Sequence, residues 1–101
     1  MPILRIKWTT TAAKELDKIY SYIAIESQSK QTASDFINTI FKRTEQLELM
    51  PLSGQIENNI NNFEVRYIIE GNYKIHYKYQ KEMIIITDIF HTKRNPRKIK
   101  K

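Results

Sequence analysis

The sequence predicts an α+β domain of order β-α-α-β-β-β, a helical hairpin packed on one face of a small, mostly antiparallel, twisted sheet. Three observations carry that expectation. Residues 12–23 and 33–47 place apolar side chains three and four apart, the spacing of helices with one buried stripe. Tyr73 to Tyr79 alternates large apolar with cationic residues, and Phe63 to Ile69 alternates before it, the period of a strand. Met83 to Phe90 is then almost continuously apolar and completes three strands in succession.

The first element is short. From Ile3 to Trp8 the residues Leu4, Ile6 and Trp8 face one way and Ile3, Arg5 and Lys7 the other, a half-buried strand. Thr9, Thr10 and Thr11 offer hydroxyl caps for the helix that follows. Its stripe is Ala12, Leu16, Ile19 and Ile23, with Tyr20 and Tyr22 on the rim. Ser27-Gln28-Ser29 breaks the pattern before a second stripe of Ala33, Phe36, Ile37, Ile40, Thr44 and Leu47. The second helix is expected to end near Met50-Pro51, because proline disfavours a helical residue before it. Pro51 to Gly54 is a turn by composition, and Gln55 to Asn62, rich in Asn, reads as a loop anchored by Ile56 and Ile60.

Parity bears on the strand registers. A three-residue loop, Glu70-Gly71-Asn72, pairs Ile69 with Tyr73, Tyr67 with Ile75 and Val65 with Tyr77, and sets Arg66 opposite His76. A two-residue loop would set Arg66 opposite Tyr77 and mix the charged and aromatic sets, so the odd loop is expected. The second hairpin is open. An odd loop puts Ile84, Ile86 and Asp88 with the Lys74/His76/Lys78 face, whereas an even loop puts Ile85, Thr87, Ile89 and His91 there.

Composition narrows the chemistry. At 101 residues, 41% hydrophobic and 28% charged, the chain makes one domain with one core and no second domain or repeat. Six cations, Lys93, Arg94, Arg97, Lys98, Lys100 and Lys101, lie in residues 92–101 with no acid among them. The eleven remaining cations balance the eleven acids, so the net charge of +6 belongs to this tail. Such a block is an interaction arm for nucleic acid or an acidic protein, or simply a solvated tail. With no cysteine, disulfide and thiolate chemistry are excluded, which fits a reducing cytosol. No long apolar stretch or leader pattern points to a membrane.

Two histidines fifteen apart, without cysteine, make no metal-ligand pattern, and two glycines make no phosphate-binding loop. No metal or other cofactor is expected. What remains is a cluster of Arg66, Lys74, His76 and Lys78, with His91 and Arg94 beyond it. Such groups bind phosphates, and a histidine among them can act as general acid or base in RNA cleavage through the 2′-OH. The structural reading is a solvated sheet face charged against edge-to-edge association. Lying between two lysines, His76 is expected to find its protonated form disfavoured.

The order of these residues resembles the RelE/ParE superfamily of toxins from type II toxin–antitoxin systems, also called plasmid stabilisation proteins. The resemblance runs through Trp8-Thr9, Ala12/Ala13, Leu16, Ile19 and Tyr22-Ile23-Ala24, then Ala33, Phe36-Ile37, Leu47, Met50-Pro51 and Gly54. It continues through Arg66, Tyr73-Lys74-Ile75-His76-Tyr77, Ile84-Ile85-Ile86, Phe90-His91 and Arg94. It implies a toxin domain over 1–91 followed by the basic tail at 92–101. It also implies a cytoplasmic growth inhibitor neutralised by a cognate antitoxin in a hetero-oligomer, with the rim around Tyr20 and Tyr22 as a candidate contact. RelE-like members cut mRNA in the ribosomal A site; ParE-like members share the fold and poison DNA gyrase. In a nuclease Arg66, His76 and His91 would be catalytic, with an acidic base available at Glu57. Lys74, Lys78, Lys93, Arg94 and Arg97 would bind nucleic acid or another target. The chain departs from the nuclease pattern twice: residues 55–62 hold no cation, and no aromatic follows Phe90. The resemblance therefore leans toward gyrase inhibition, with the endonuclease and a non-toxic antitoxin-binding member as alternatives.

Overall fold

The computed structural model describes residues 5–57 and 64–93. Seven elements follow one another: β1 (Arg5–Trp8), α1 (Thr10–Ser27), α2 (Lys30–Gln46), β2 (Gln55–Ile56), β3 (Arg66–Glu70), β4 (Tyr73–Gln80) and β5 (Met83–His91). They form a five-stranded sheet of order β1-β5-β4-β3-β2, antiparallel except that β1 runs parallel to β5. The α+β architecture is the one the sequence predicts. It gains one element: the start of the expected loop at Gln55 pairs with Tyr67 as a two-residue edge strand. Residues 58–62 of that loop, with Ile3, Leu4 and Phe63, lie outside the described residues.

Local chemistry sets the helix ends. The Thr9 hydroxyl accepts from the Ala12 amide at 3.1 Å, capping α1. At the break, Gln28 takes the left-handed conformation (φ 57°) and the Ser29 hydroxyl accepts from the Thr32 amide at 3.0 Å. The regular part of α2 stops at Gln46, before the expected Met50. The amides of Leu47, Glu48 and Leu49 each bond three residues back, tightening the chain out of α geometry.

The core lies between the hairpin and one sheet face. Ala12, Ile19, Ile40 and Leu47 pack against Ile68, Tyr73, Ile75, Tyr77, Ile84, Ile86 and Ile89. Both predicted stripes face this layer. Phe36 meets the Tyr73 ring at 5.4 Å, and Trp8 meets Phe41 edge-on at 5.5 Å.

The first hairpin corrects the parity argument. Glu70 pairs with Tyr73, so the loop is the two-residue Gly71-Asn72, and Arg66 lies opposite Tyr77, not His76. Gly71, at φ 60°, supplies the positive angle such a loop needs at its first position. Arg66, Ile68 and Glu70 thus share the helix-side face, while Tyr67 and Ile69 share the other. The two charges are tolerated there because each is paired at a margin: Glu70 meets Arg43 of α2 at 3.2 Å and Arg66 meets Glu64 at 2.7 Å. Only Ile68, between them, is deeply buried.

The second hairpin also closes on two residues, Lys81 and Glu82, both at positive φ (53° and 59°). The ladder begins with the even-loop parity, Tyr79 facing Ile84 and Tyr77 facing Ile86. It then skips Thr87, so that His76 faces Asp88, Ile75 faces Ile89 and Tyr73 faces His91. This β-bulge reverses the parity halfway along β5. Neither uniform register considered from the sequence applies to the whole strand. Beyond Trp8 the outer edge of β5 has no neighbouring strand among the described residues. There the Thr9 hydroxyl donates to the Thr87 carbonyl at 2.9 Å, and Glu15 of α1 accepts from the Ile89 amide at 2.7 Å.

Candidate functional site

Strict alternation along β4 turns Lys74, His76 and Lys78 away from the helices. The Thr87 bulge brings Asp88 to the same face, and the chain leaving β2 brings Glu57. His76 lies between the two acids: Nδ1 is 3.1 Å from Asp88 Oδ2, and Nε2 is 3.0 Å from Glu57 Oε1. Glu57 Oε1 also receives Lys74 Nζ at 2.8 Å, and that ammonium stands 4.1 Å from the centre of the Tyr67 ring. The Thr87 hydroxyl donates to Asp88 Oδ1 at 3.0 Å. Lys78 continues the face, half-buried, opposite Ile85.

This is not a solvated charged face at its centre. His76 is 7% exposed and Glu57 9%, and Phe90, whose ring lies 5.5 Å from the imidazole, is 3% exposed. Burial pulls the protonation of His76 down, yet the hydrogen bond and charge of Asp88, and then those of Glu57, outweigh it, so the pKa is raised above the ordinary 6.5. The expectation from the flanking lysines is thereby reversed. Strand neighbours two residues away are more distant than carboxylates in contact with the ring nitrogens, and contact decides the sign.

Arg66 belongs to a different assembly, on the helix-side face. Its Nη1 donates to the carbonyls of Leu52 (3.0 Å) and Gly54 (2.8 Å), and its Nη2 pairs with Glu64. Beside it the Tyr77 hydroxyl donates to the Pro51 carbonyl at 2.7 Å and accepts from the Gly54 amide at 2.9 Å. Burial raises the pKa of this phenol, against the lowering influence of the Gly54 amide and the Arg66 charge. Gly54 is required sterically, since a Cβ there would lie 2.6 Å from both the Tyr77 ring and its hydroxyl. Arg66 and Tyr77 together fasten the 51–54 turn to the sheet.

His91, opposite Tyr73, also stands on the helix-side face. Its ring meets that of Tyr73 edge-on at 5.0 Å, and its Nδ1 accepts from the Lys93 amide at 3.1 Å. Lys93 is exposed; Arg94 and Arg97 lie outside the described residues. The fold therefore brings Lys74, His76 and Lys78 onto one face and places Arg66 and His91 on the other. It adds Asp88, which the sequence placed on this face only under one of two open registers and did not name as a site residue, and joins Glu57 to the cluster. Both carry a signal in hindsight: Asp88 is the lone acid in an apolar strand, and Glu57 the lone charge in residues 55–62.

Chemically, the arrangement favours the protonated form of His76, which can donate to an acid at each ring nitrogen. Both ring nitrogens of His76 are occupied by acids, and the ring is buried. Among the described residues, no group of His, Asp and Glu is arranged to hold a metal ion. None of their helices is long and apolar enough to cross a membrane.

Comparison with known proteins bears on the family and the fold. The family described as ParE toxin of type II toxin–antitoxin system, parDE, matches residues 6–96. Among solved structures, the chromosomal ParDE system from P. aeruginosa superposes with a TM-score of 0.71 at 17% identity, covering 88% of this chain and 96% of that one. The toxin–antitoxin complex RelBE2 from Mycobacterium tuberculosis gives a TM-score of 0.64 at 17% identity, covering 90% of this chain and 93% of that one. At these identities the structural likeness speaks to the fold. A search of curated proteins finds no significant match.

Proposed function

This chain belongs to the RelE/ParE family of type II toxins, through its match to the ParE toxin family over residues 6–96, and from that premise we propose that it arrests growth by inhibiting DNA gyrase. The observation that supports the choice of target is the scatter of the nuclease candidates. His76 is clamped by two carboxylates, while Arg66 and His91 stand on the opposite face of the sheet and serve other contacts. An RNA-cleaving site needs its acid, base and phosphate-binding cation around one scissile bond. In this reading the toxin acts by binding, through the exposed Lys93 with Arg94 and Arg97 of the basic tail and with Lys78 at the sheet margin. Lys74 is engaged by Glu57 and supports that face from within.

A cognate antitoxin completes the module, as in the ParDE and RelBE2 systems that share this fold. The rim of α1 around Tyr20 and Tyr22 is its proposed contact, Tyr22 being exposed and Tyr20 half-buried.

Two purified systems test the target. Added to gyrase and relaxed plasmid, the chain should abolish supercoiling; added to ribosomes translating a defined mRNA, it should leave the message whole. Ribosome-dependent cleavage of that message, with supercoiling untouched, would overturn the gyrase reading in favour of the endonuclease.

A further inference from the structure

The His76 ring has acids at both nitrogens, and that geometry constrains its proton count. A neutral imidazole carries one N–H and one lone pair. With Asp88 Oδ2 at 3.1 Å from Nδ1 and Glu57 Oε1 at 3.0 Å from Nε2, either neutral tautomer aims its lone pair at a carboxylate. Only the imidazolium donates to both. Among the described residues, the other groups facing the ring are Lys74 and Lys78 along β4, the Tyr67 ring edge-on from β3 at 6.3 Å, and Phe90 from β5.

The two acids hold different parts of the fold. Asp88 is built into β5, inside the sheet. Glu57 follows a two-residue edge strand and is tied to the sheet by its amide, which donates to the Val65 carbonyl at 2.7 Å, and by its carboxylate. The chain entering β2 is pinned by Tyr77 and Arg66, whose contacts do not change near neutral pH. The chain leaving β2 is pinned at Glu57.

We infer that protonated His76 is a latch holding the far end of β2 against the sheet, and that loss of its proton loosens that end, where Ile56 faces Arg66 and the Glu57 amide bonds the Val65 carbonyl. Once the ring is neutral, the remaining N–H belongs with Asp88, because the charge of Glu57 is already partly balanced by Lys74. The Nε2 lone pair then opposes Glu57 Oε1, and the carboxylate loses its bond to the ring while keeping Lys74. The direction of the His76 shift places the release above pH 6.5. Release at Glu57 gives up the bond of its amide to the Val65 carbonyl, while Gln55, next to the pinned Gly54, stays paired with Tyr67. The inference is independent of the proposed target.

The test uses the full chain. Nitrogen NMR of His76 across pH reports its titration and tautomer, and hydrogen exchange of the Glu57 amide, corrected for the intrinsic rate, reports attachment of β2. His76 should titrate above 6.5 to the Nδ1–H tautomer. As it does so, Glu57 should lose about tenfold in protection relative to Ile75, the worth of one charge-assisted hydrogen bond. His76→Gln should remove the step. Glu57→Gln, whose carboxamide N–H can serve a neutral Nε2, should remove the step and lower the titration. Titration at or below 6.5, or Glu57 protection that follows Ile75 throughout, would overturn the latch, and the wild-type measurements decide this even if a variant fails to fold.

Discussion

At Tyr77 a single buried hydroxyl both donates, to Pro51, and accepts, from Gly54, so its removal strands two backbone groups. Tyr77→Phe should cost about 1–3 kcal/mol in urea unfolding, the penalty of leaving a buried amide unpaired. Gly54→Ala should cost more, because the new methyl meets the Tyr77 ring and the Tyr67 backbone carbonyl, at 2.6 and 2.9 Å, and the latter cannot turn aside. At His76 the prediction concerns pH. Burial opposes its charge, but Asp88 and Glu57 raise its pKa in the folded chain above the 6.5 of the unfolded one. The stability this contributes is fully present below pH 6.5 and is lost as pH rises through the raised folded value. Denaturant midpoints of the wild type should therefore fall over that window, and those of His76→Gln should not.

Among the elements, the second hairpin carries local strain that sequence alone can relieve. Lys81 and Glu82 both sit in the left-handed region, where a Cβ is unfavourable. Replacing the pair with Asn-Gly, the residues a tight hairpin of this hand prefers, should raise stability by about 0.5–1 kcal/mol and the melting temperature with it. The first hairpin shows why parity misleads when judged by side-chain type. Arg66 and Glu70 look like solvent-facing residues, yet both lie on the helix side, where Glu64 and Arg43 neutralise them at the edges of the core. Their partners come from β3's own approach and from α2, so no alternation pattern within the strand could reveal them. The Thr87 bulge is equally silent in a run where nearly every residue is apolar and both faces read alike.

For the whole molecule, charge separates into a neutral folded body and a cationic tail. If the tail engages DNA or a DNA-bearing complex, affinity should fall with salt along a log–log slope no steeper than roughly −5 for its six cations. Neutralising Lys93, Arg94, Arg97, Lys98, Lys100 and Lys101 to Gln should bring that slope close to zero while the far-ultraviolet circular dichroism stays unchanged. A steep slope that survives neutralisation would move the binding surface to the sheet face around Lys78. Tracking both slope and fold keeps loss of structure distinct from loss of contact.

The sequence by itself determined the order of elements apart from β2, the two buried helix stripes, the three threonines among which the cap of α1 lies and the sheet's apolar centre, because these follow from periodicity and from side chains bonding their own near neighbours. It also marked Lys74, His76 and Lys78 as one face, since alternation within a single strand depends on nothing else. Tertiary structure alone decided what that face contacts. Glu57 and Asp88 reach His76 only through the pairing of β2 with β3 and the bulge between β4 and β5, contacts spanning 19 and 12 residues. Those contacts raise the pKa of a histidine whose protonated form the flanking lysines alone would disfavour. Arg66 was moved the other way, from a partner of His76 to an anchor of the 51–54 turn, by one residue of loop length.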